Sequence, residues 1–178
     1  MAKLSWVYLA SVLITFSTTL TLFPSVAVLV QSETYKSKSE WAEKYFTPVT
    51  VFLLFNSGDL MGRGLASWIK MPSSTVIGQC ILLLSSLLRL LFIPLFLFCN
   101  IVTGRERTVL FHSDGDFIVI MALFSLSNGY IGNICMLHGP KLTTEKENQE
   151  AIALILIAGL VLGTGIGSFL SVPLVSSL

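Results

Sequence analysis

FTPVTVFLLFNSGDLMGRGLASWI, residues Phe46 to Ile69, is the stretch around which the rest of the sequence is organised. About 20 apolar residues cross about 30 Å of hydrocarbon, and this segment is long enough to do so. It nevertheless carries a carboxylate, Asp59, and a guanidinium, Arg63, well inside its limits. At about 100° per residue of helix, Phe52, Asn56, Asp59 and Arg63 fall within an arc of roughly 60°. One narrow stripe thus holds an aromatic ring, an amide, an acid and a base. Opposite charges four residues apart can meet directly, although in water the pair adds only a few tenths of a kcal/mol. In hydrocarbon each lone charge would cost about 2.5–3.5 kcal/mol, so the stripe is expected to face a protein interior or a cavity. The pair either locks two helices together or forms a site for a polar solute near the middle of a membrane.

The surrounding composition fits a bilayer. Of 178 residues, 53% are hydrophobic and 12% charged, where a soluble domain is about a quarter charged. The net charge of +1 and the lack of a basic block give no footing for nucleic acid. Cys80, Cys99 and Cys135 lie in or at the ends of apolar runs without CxxC or Cys/His spacing, and read as small packing residues.

Outward from the organising segment, five spanning helices are expected, at about 4–30, 46–69, 76–102, 117–137 and 151–172. The first is too long for the apolar core of a signal peptide. Pro24 should kink it, and its many Ser and Thr residues suit it to the inside of a bundle. The KMPSS connection, residues 70–74, is short enough to make the second and third helices antiparallel neighbours. Arg89 stands midway along the third helix, too deep to snorkel, so it requires a partner or water. The fourth helix carries Asn128 and Asn133, amides suited to hydrogen bonds across helices or to a solute. The last carries Gly159, Gly163 and Gly167, a stripe of small residues that reads as helix packing.

Charge does not orient the bundle. Lys3, Lys70, Lys141 and Lys146 fall on the N-terminal side; Lys36, Lys38, Lys44, Arg105 and Arg107 fall opposite. His112, Asp114 and Asp116 read as a solvated loop, since His138 belongs on the other face and no second ligand stands at metal spacing. There is no HExxH, GxSxG or phosphate-binding glycine loop. An enzyme is not expected, and no cofactor or metal is implied.

FNSGDLMGR, Phe55 to Arg63, resembles the FNxxDxxGR signature in the eighth helix of equilibrative nucleoside transporters. Phe23-Pro24 resembles the FP of the family's seventh helix, and WAEKYFTPV the lead-in to the eighth. RLLFIPLFLFCN resembles the ninth, FSLSNGYIGNICM the tenth, and the glycine-spaced last helix the eleventh. Nearly the whole chain is covered, in order.

The resemblance implies an all-α integral membrane protein: five transmembrane helices forming the second lobe of a major-facilitator-like fold. The six-helix first lobe of the family is not in this sequence. It implies a cytoplasmic N-terminus and, as location, the plasma membrane. It implies facilitative transport of purine and pyrimidine nucleosides, with nucleobases a further class, by a lobe that works with a second one. Asp59 would accept hydrogen bonds from ribose hydroxyls, and Arg63 would donate to ribose or base acceptors. Asn56 would add an amide contact, Phe52 an apolar wall and Phe23 a ring from the neighbouring kinked helix. The self-neutralising Asp/Arg pair suits uncharged polar solutes. The competing expectation is a non-transporting membrane partner or regulator of a full-length transporter, associating through the Gly159/Gly163/Gly167 stripe and its exposed lobe face.

Overall fold

The computed structural model describes residues 2–35, 38–69, 75–101 and 109–178. The Lys70–Ser74 connection, Lys36, Arg105 and Arg107 lie outside the described residues. The α-helices are α1 (Ala2–Leu22), α2 (Leu54–Trp68), α3 (Val76–Leu88), α4 (Phe92–Leu97), α5 (Asp114–His138) and α6 (Lys146–Ser177). Among the described residues there is no strand, only isolated bridges such as Val30 to Ile101.

Among the described residues, four helical stretches are long and apolar enough to cross a membrane: Trp6–Leu29, Val76–Leu97, Asp114–Leu142 and Lys146–Ser177. The expected count of five is corrected to four on this criterion. The remaining segment is helical from Trp41 to Trp68 but falls short because Asn56, Ser57, Asp59 and Arg63 dilute its apolar run. Its first part is wider than an α-helix, with π-helical turns at Trp41–Tyr45 and Thr47–Leu53. Pro48, which has no amide hydrogen to donate, sits at the start of the second of these. The 100° spacing therefore holds from Leu54 onward and not at Phe52.

Proline marks the other irregularities. α1 stops at Leu22, just before Pro24, and a short 3-10 turn, Ala27–Leu29, follows. Between α3 and α4 the chain tightens to a 3-10 turn at Arg89–Leu91. Pro94 lies four residues after Leu90, so it gives that carbonyl no amide partner and its ring crowds it. α3 and α5 are capped by Thr75 and Ser113, which accept from the amides of Gly78 and Gly115.

α1 is an inner helix, packed chiefly on α6 and also on α3 and α5. Its buried face includes Ser11, Thr15, Thr18, Thr19 and Thr21, as the sequence led us to expect. Thr18, Thr19 and Thr21 bond to carbonyls one helical turn back, as Thr18 does to Ile14 (2.7 Å), and Ser17 reaches the Gly163 carbonyl of α6 (3.0 Å). The buried hydroxyls of Ser11 and Thr15 have no partner among the described residues. The Gly159, Gly163 and Gly167 stripe meets α1. A Cβ on Gly159 would lie 2.4 Å from Leu9, and one on Gly167 2.3 Å from the Ser17 carbonyl. The stripe is thus occupied within the lobe, which corrects its alternative assignment to a second chain.

The closest approach is between α2 and α5. A Cβ on Gly62 would lie 2.2 Å from the Leu126 carbonyl, and one on Gly129 1.9 Å from that of Asp59. Gly58, Gly62 and Ala66 form a buried small-residue row on α2. Two apolar cores flank this contact. One gathers Phe46, Phe55, Phe96, Phe117 and Phe124; the other gathers Tyr8, Val12, Ala66, Leu82, Ile131, Ile134 and Leu156. Along both α2 and α5, the polar residues Asp59 and Asn128 fall between them. Much of the outer surface is apolar, with Trp68, Phe169, Ile77 and Leu60 exposed, as suits contact with hydrocarbon.

Candidate solute-binding site

Because the α2 and α5 backbones nearly touch, the side chains beside their glycines meet at short range. Arg63 pairs with Asp59 through a 2.7 Å contact to Oδ2. The amide nitrogen of Asn128 donates to Asp59 Oδ1 at 2.7 Å. Asp59 is mostly shielded, with 14% of its side chain exposed, while Arg63 is 57% exposed. The acid is therefore held from two sides, and the base reaches outward with other N–H donors to spare.

Asp59 and Arg63 line a cavity of about 260 Å3 together with Phe16 of α1, Leu160 of α6, and Asn128, Asn133 and Met136 of α5. Gly129 and Gly132 complete its wall. Asn133 is oriented by a 2.9 Å bond from its amide nitrogen to the Arg63 carbonyl. Polar groups gather at the α2 and α5 side, with apolar side chains from α1 and α6 facing them. Such a mixture orients a small polar molecule while sheltering it from water.

The other expected residues lie apart from this cavity. Phe52 and Asn56 are exposed, and Asn56 donates to the Phe52 carbonyl at 2.7 Å. Phe23 stacks on Phe55 at 3.9 Å between ring centres and meets Phe52 edge-on at 5.8 Å. They form an aromatic patch at the wide-turned part of the helix. Gly159, Gly163 and Gly167 are taken up by α1, as described above.

The two terminal nitrogens of Arg89 find neutral partners at that depth, while its buried Nε has none among the described residues. Its side chain is buried, 1% exposed. One terminal nitrogen donates to the Phe124 carbonyl (2.9 Å) and to Ser127 Oγ; the other donates to Thr19 Oγ1 (2.9 Å). Its carbon centre lies 4.8 Å from the middle of the Phe124 ring. Thr19 in turn contacts Asn128 Oδ1 at 2.7 Å. One carboxylate and two guanidinium groups therefore share a connected polar cluster, and the Asp59/Arg63 pair is not self-contained.

Asn128 and Arg89 were visible in the sequence as polar residues in apolar helices; their connection to Asp59 was not. Phe16, Met136 and Leu160 carried no signal, since apolar residues line cavities and cores alike. The spacing of Gly58, Gly62 and Ala66, by contrast, was a readable sign of the α2–α5 contact.

Sequence comparison gives this geometry a context. The family described as "Nucleoside transporter" matches residues 1–176. The chain is 42% identical over 156 residues to equilibrative nucleoside transporter 1 of Homo sapiens, covering 86% of this chain and 33% of that one. It is 35% identical over 166 residues to equilibrative nucleoside transporter 2 of Homo sapiens, covering 93% and 35%. With equilibrative nucleoside transporter 3 of Rattus norvegicus it shares 35% over 148 residues, covering 83% and 30%. The chain thus spans about a third of the length of the curated relatives it matches.

Proposed function

The chain belongs to the nucleoside transporter family, a family of transporters and not of enzymes, and from that premise we propose that it is the second lobe of a facilitative nucleoside carrier. In this reading the helix from Trp41 to Trp68 turns its polar face to the solute. A first lobe closes over that face, and the two rock about the bound nucleoside. The plasma membrane is the proposed location.

The observation that carries the reading is the way Asp59 is held. An ionised carboxylate has about four lone-pair positions, two on each oxygen. Asn128 uses one on Oδ1 and Arg63 one on Oδ2, which leaves one on each oxygen. Two adjacent acceptors match two adjacent hydroxyls, the vicinal diol of a ribose. Arg63, exposed and rich in donors, supplies the complementary groups for ring or carbonyl acceptors. Phe52, Phe23 and Asn56, which lie apart from the cavity, are in this reading a separate contact for the nucleoside farther along the same helix.

The test is uptake of radiolabelled uridine by the complete transporter containing this lobe. Asp59→Asn and Arg63→Ala should each remove most uptake, with surface abundance largely kept. Loss of both variants from the membrane would instead make the pair a helix lock and overturn the proposal.

A further inference from the structure

We infer that Arg89 and Thr19, neither of which lines the cavity, are positioning residues that orient Asp59 through Asn128. The inference rests on the solute site proposed above and assigns it a supporting layer. Asn128 sits between two neighbours, Asp59 at 2.7 Å from its Nδ2 and Thr19 Oγ1 at 2.7 Å from its Oδ1. A primary amide can be turned end for end at little cost unless its neighbours forbid it. A hydroxyl does not forbid it, because it can donate or accept. What fixes the amide must therefore come from the ends of the chain.

Both ends have one polarity only. Ionised Asp59 can only accept, so it demands the Asn128 nitrogen. Arg89 can only donate, and its terminal nitrogen lies 2.9 Å from Thr19 Oγ1. The Thr19 oxygen therefore receives a hydrogen from Arg89 and sends its own elsewhere. Two acceptors stand within 2.7 Å, the Asn128 oxygen and the Thr15 carbonyl. The Thr15 carbonyl lies within α1 and already accepts the helical amide four residues on, so the Asn128 oxygen is the acceptor that depends on the Thr19 hydrogen. The bonds then run one way, from Arg89 to Thr19 to Asn128 to Asp59. A second, longer contact of 3.5 Å from Arg89 to Asn128 Oδ1 has the same sense.

Arg89 is itself fixed. The Phe124 carbonyl and Ser127 hold its other terminal nitrogen, and burial keeps it from water. The 3-10 turn at Arg89–Leu91 sets where its stem leaves the backbone. The direction of the chain is thus anchored by a charge that cannot reverse its role. Asp59 Oδ1 is held by a donor with one allowed orientation, which keeps the carboxylate free to offer its remaining lone pairs to a solute.

The readout is a preference, because general damage to the fold would weaken all solutes alike. Binding of uridine and of 2′,3′-dideoxyuridine would be measured on the complete transporter in membranes, as the ratio of the two affinities. Thr19→Val keeps the shape and removes the hydroxyl; it should cut that ratio about threefold to tenfold, the range of one hydrogen bond. Arg89→Lys, still a pure donor, should retain most of the ratio, and Arg89→Gln should lose it. If Arg89→Gln does not fold, Thr19→Val alone decides. An unchanged ratio in Thr19→Val overturns the positioning role while leaving the solute site intact. A wild-type protein that binds neither nucleoside, or an Asp59→Asn variant that keeps the ratio, overturns the solute site and the relay with it.

Discussion

Two opposite charges behave differently when a third is near. Asp59 and Arg63 are a close pair, yet Asn128 and the buried Arg89 stand directly behind the acid. This makes a specific statement about exchanging the pair. In isolation, Asp59→Arg combined with Arg63→Asp should preserve the attraction and hence the fold. Here the new guanidinium at position 59 would face the Asn128 amide hydrogens and add to the charge of Arg89. Arg63 is 57% exposed, so the cost of the exchange falls at the shielded position 59, where Asn128 would lose the acceptor it now has. We therefore expect the double exchange to reach the cell surface less well than Asp59→Asn, measured by surface biotinylation. Equal or better abundance would show that Asn128 and Arg89 do not constrain position 59. The charges of Asp59 and Arg63 and the unusual depth of Arg89 were legible in the sequence, whereas Phe52 belongs to wider turns where the 100° spacing does not apply. The path joining the charges was not legible, because it crosses α1, α3 and α5 through residues that are far apart in the chain.

At the scale of the element, the helices are placed by where a side chain is absent. Gly129 has the Asp59 carbonyl where its Cβ would stand, at 1.9 Å. Gly64 and Gly165 have nothing within 4 Å of that position. Gly129→Ala should thus force α2 from α5 and destabilise the lobe strongly, since backbone cannot yield as a flexible side chain can. Gly64→Ala and Gly165→Ala should be neutral or stabilising, by up to about 1 kcal/mol from helix propensity. Thermal unfolding in detergent, followed by size-exclusion chromatography, would report the contrast. Asp114 gives a second case. Read from the sequence as part of a solvated loop, it accepts from Ser32 Oγ (2.7 Å), the Glu33 amide (2.9 Å) and Trp41 Nε1 (3.1 Å). It ties the segment after α1 to the start of α5. Asp114→Ala should speed amide hydrogen exchange at Glu33 and its neighbours while leaving α5 protected. The glycine stripe on α6 reads as packing, and the Gly58, Gly62 and Ala66 row on α2 has the same four-residue spacing of small side chains. The wide turns before Leu54 are not legible in the sequence, because a proline such as Pro48 shows where a helix is irregular but not which irregularity it adopts.

At the scale of the whole molecule, this lobe has an inside and an open side. α1 is wrapped by α3, α5 and α6, while the helix ending at Trp68 leaves Phe52, Asn56 and Arg63 exposed on one face. A transporter needs both faces of the membrane to reach the site in turn, which one rigid wall cannot supply. We expect the 178-residue chain alone, in liposomes, to show no saturable uptake of uridine above empty vesicles. A second copy would duplicate Asp59, Arg63 and Arg89, setting four guanidinium groups against two carboxylates, without supplying the contacts of a different lobe. Saturable uptake abolished by Asp59→Asn would make the lobe a transporter in its own right.

If a nucleoside sits with its ribose on Asp59, a structure of the complete transporter with uridine bound will show both ribose hydroxyls within about 2.5–3.0 Å of the Asp59 carboxylate oxygens, with Arg63 beside the sugar or base. A uridine bound elsewhere, with Asp59 held by Arg63 and Asn128 and touching no solute, would contradict that placement.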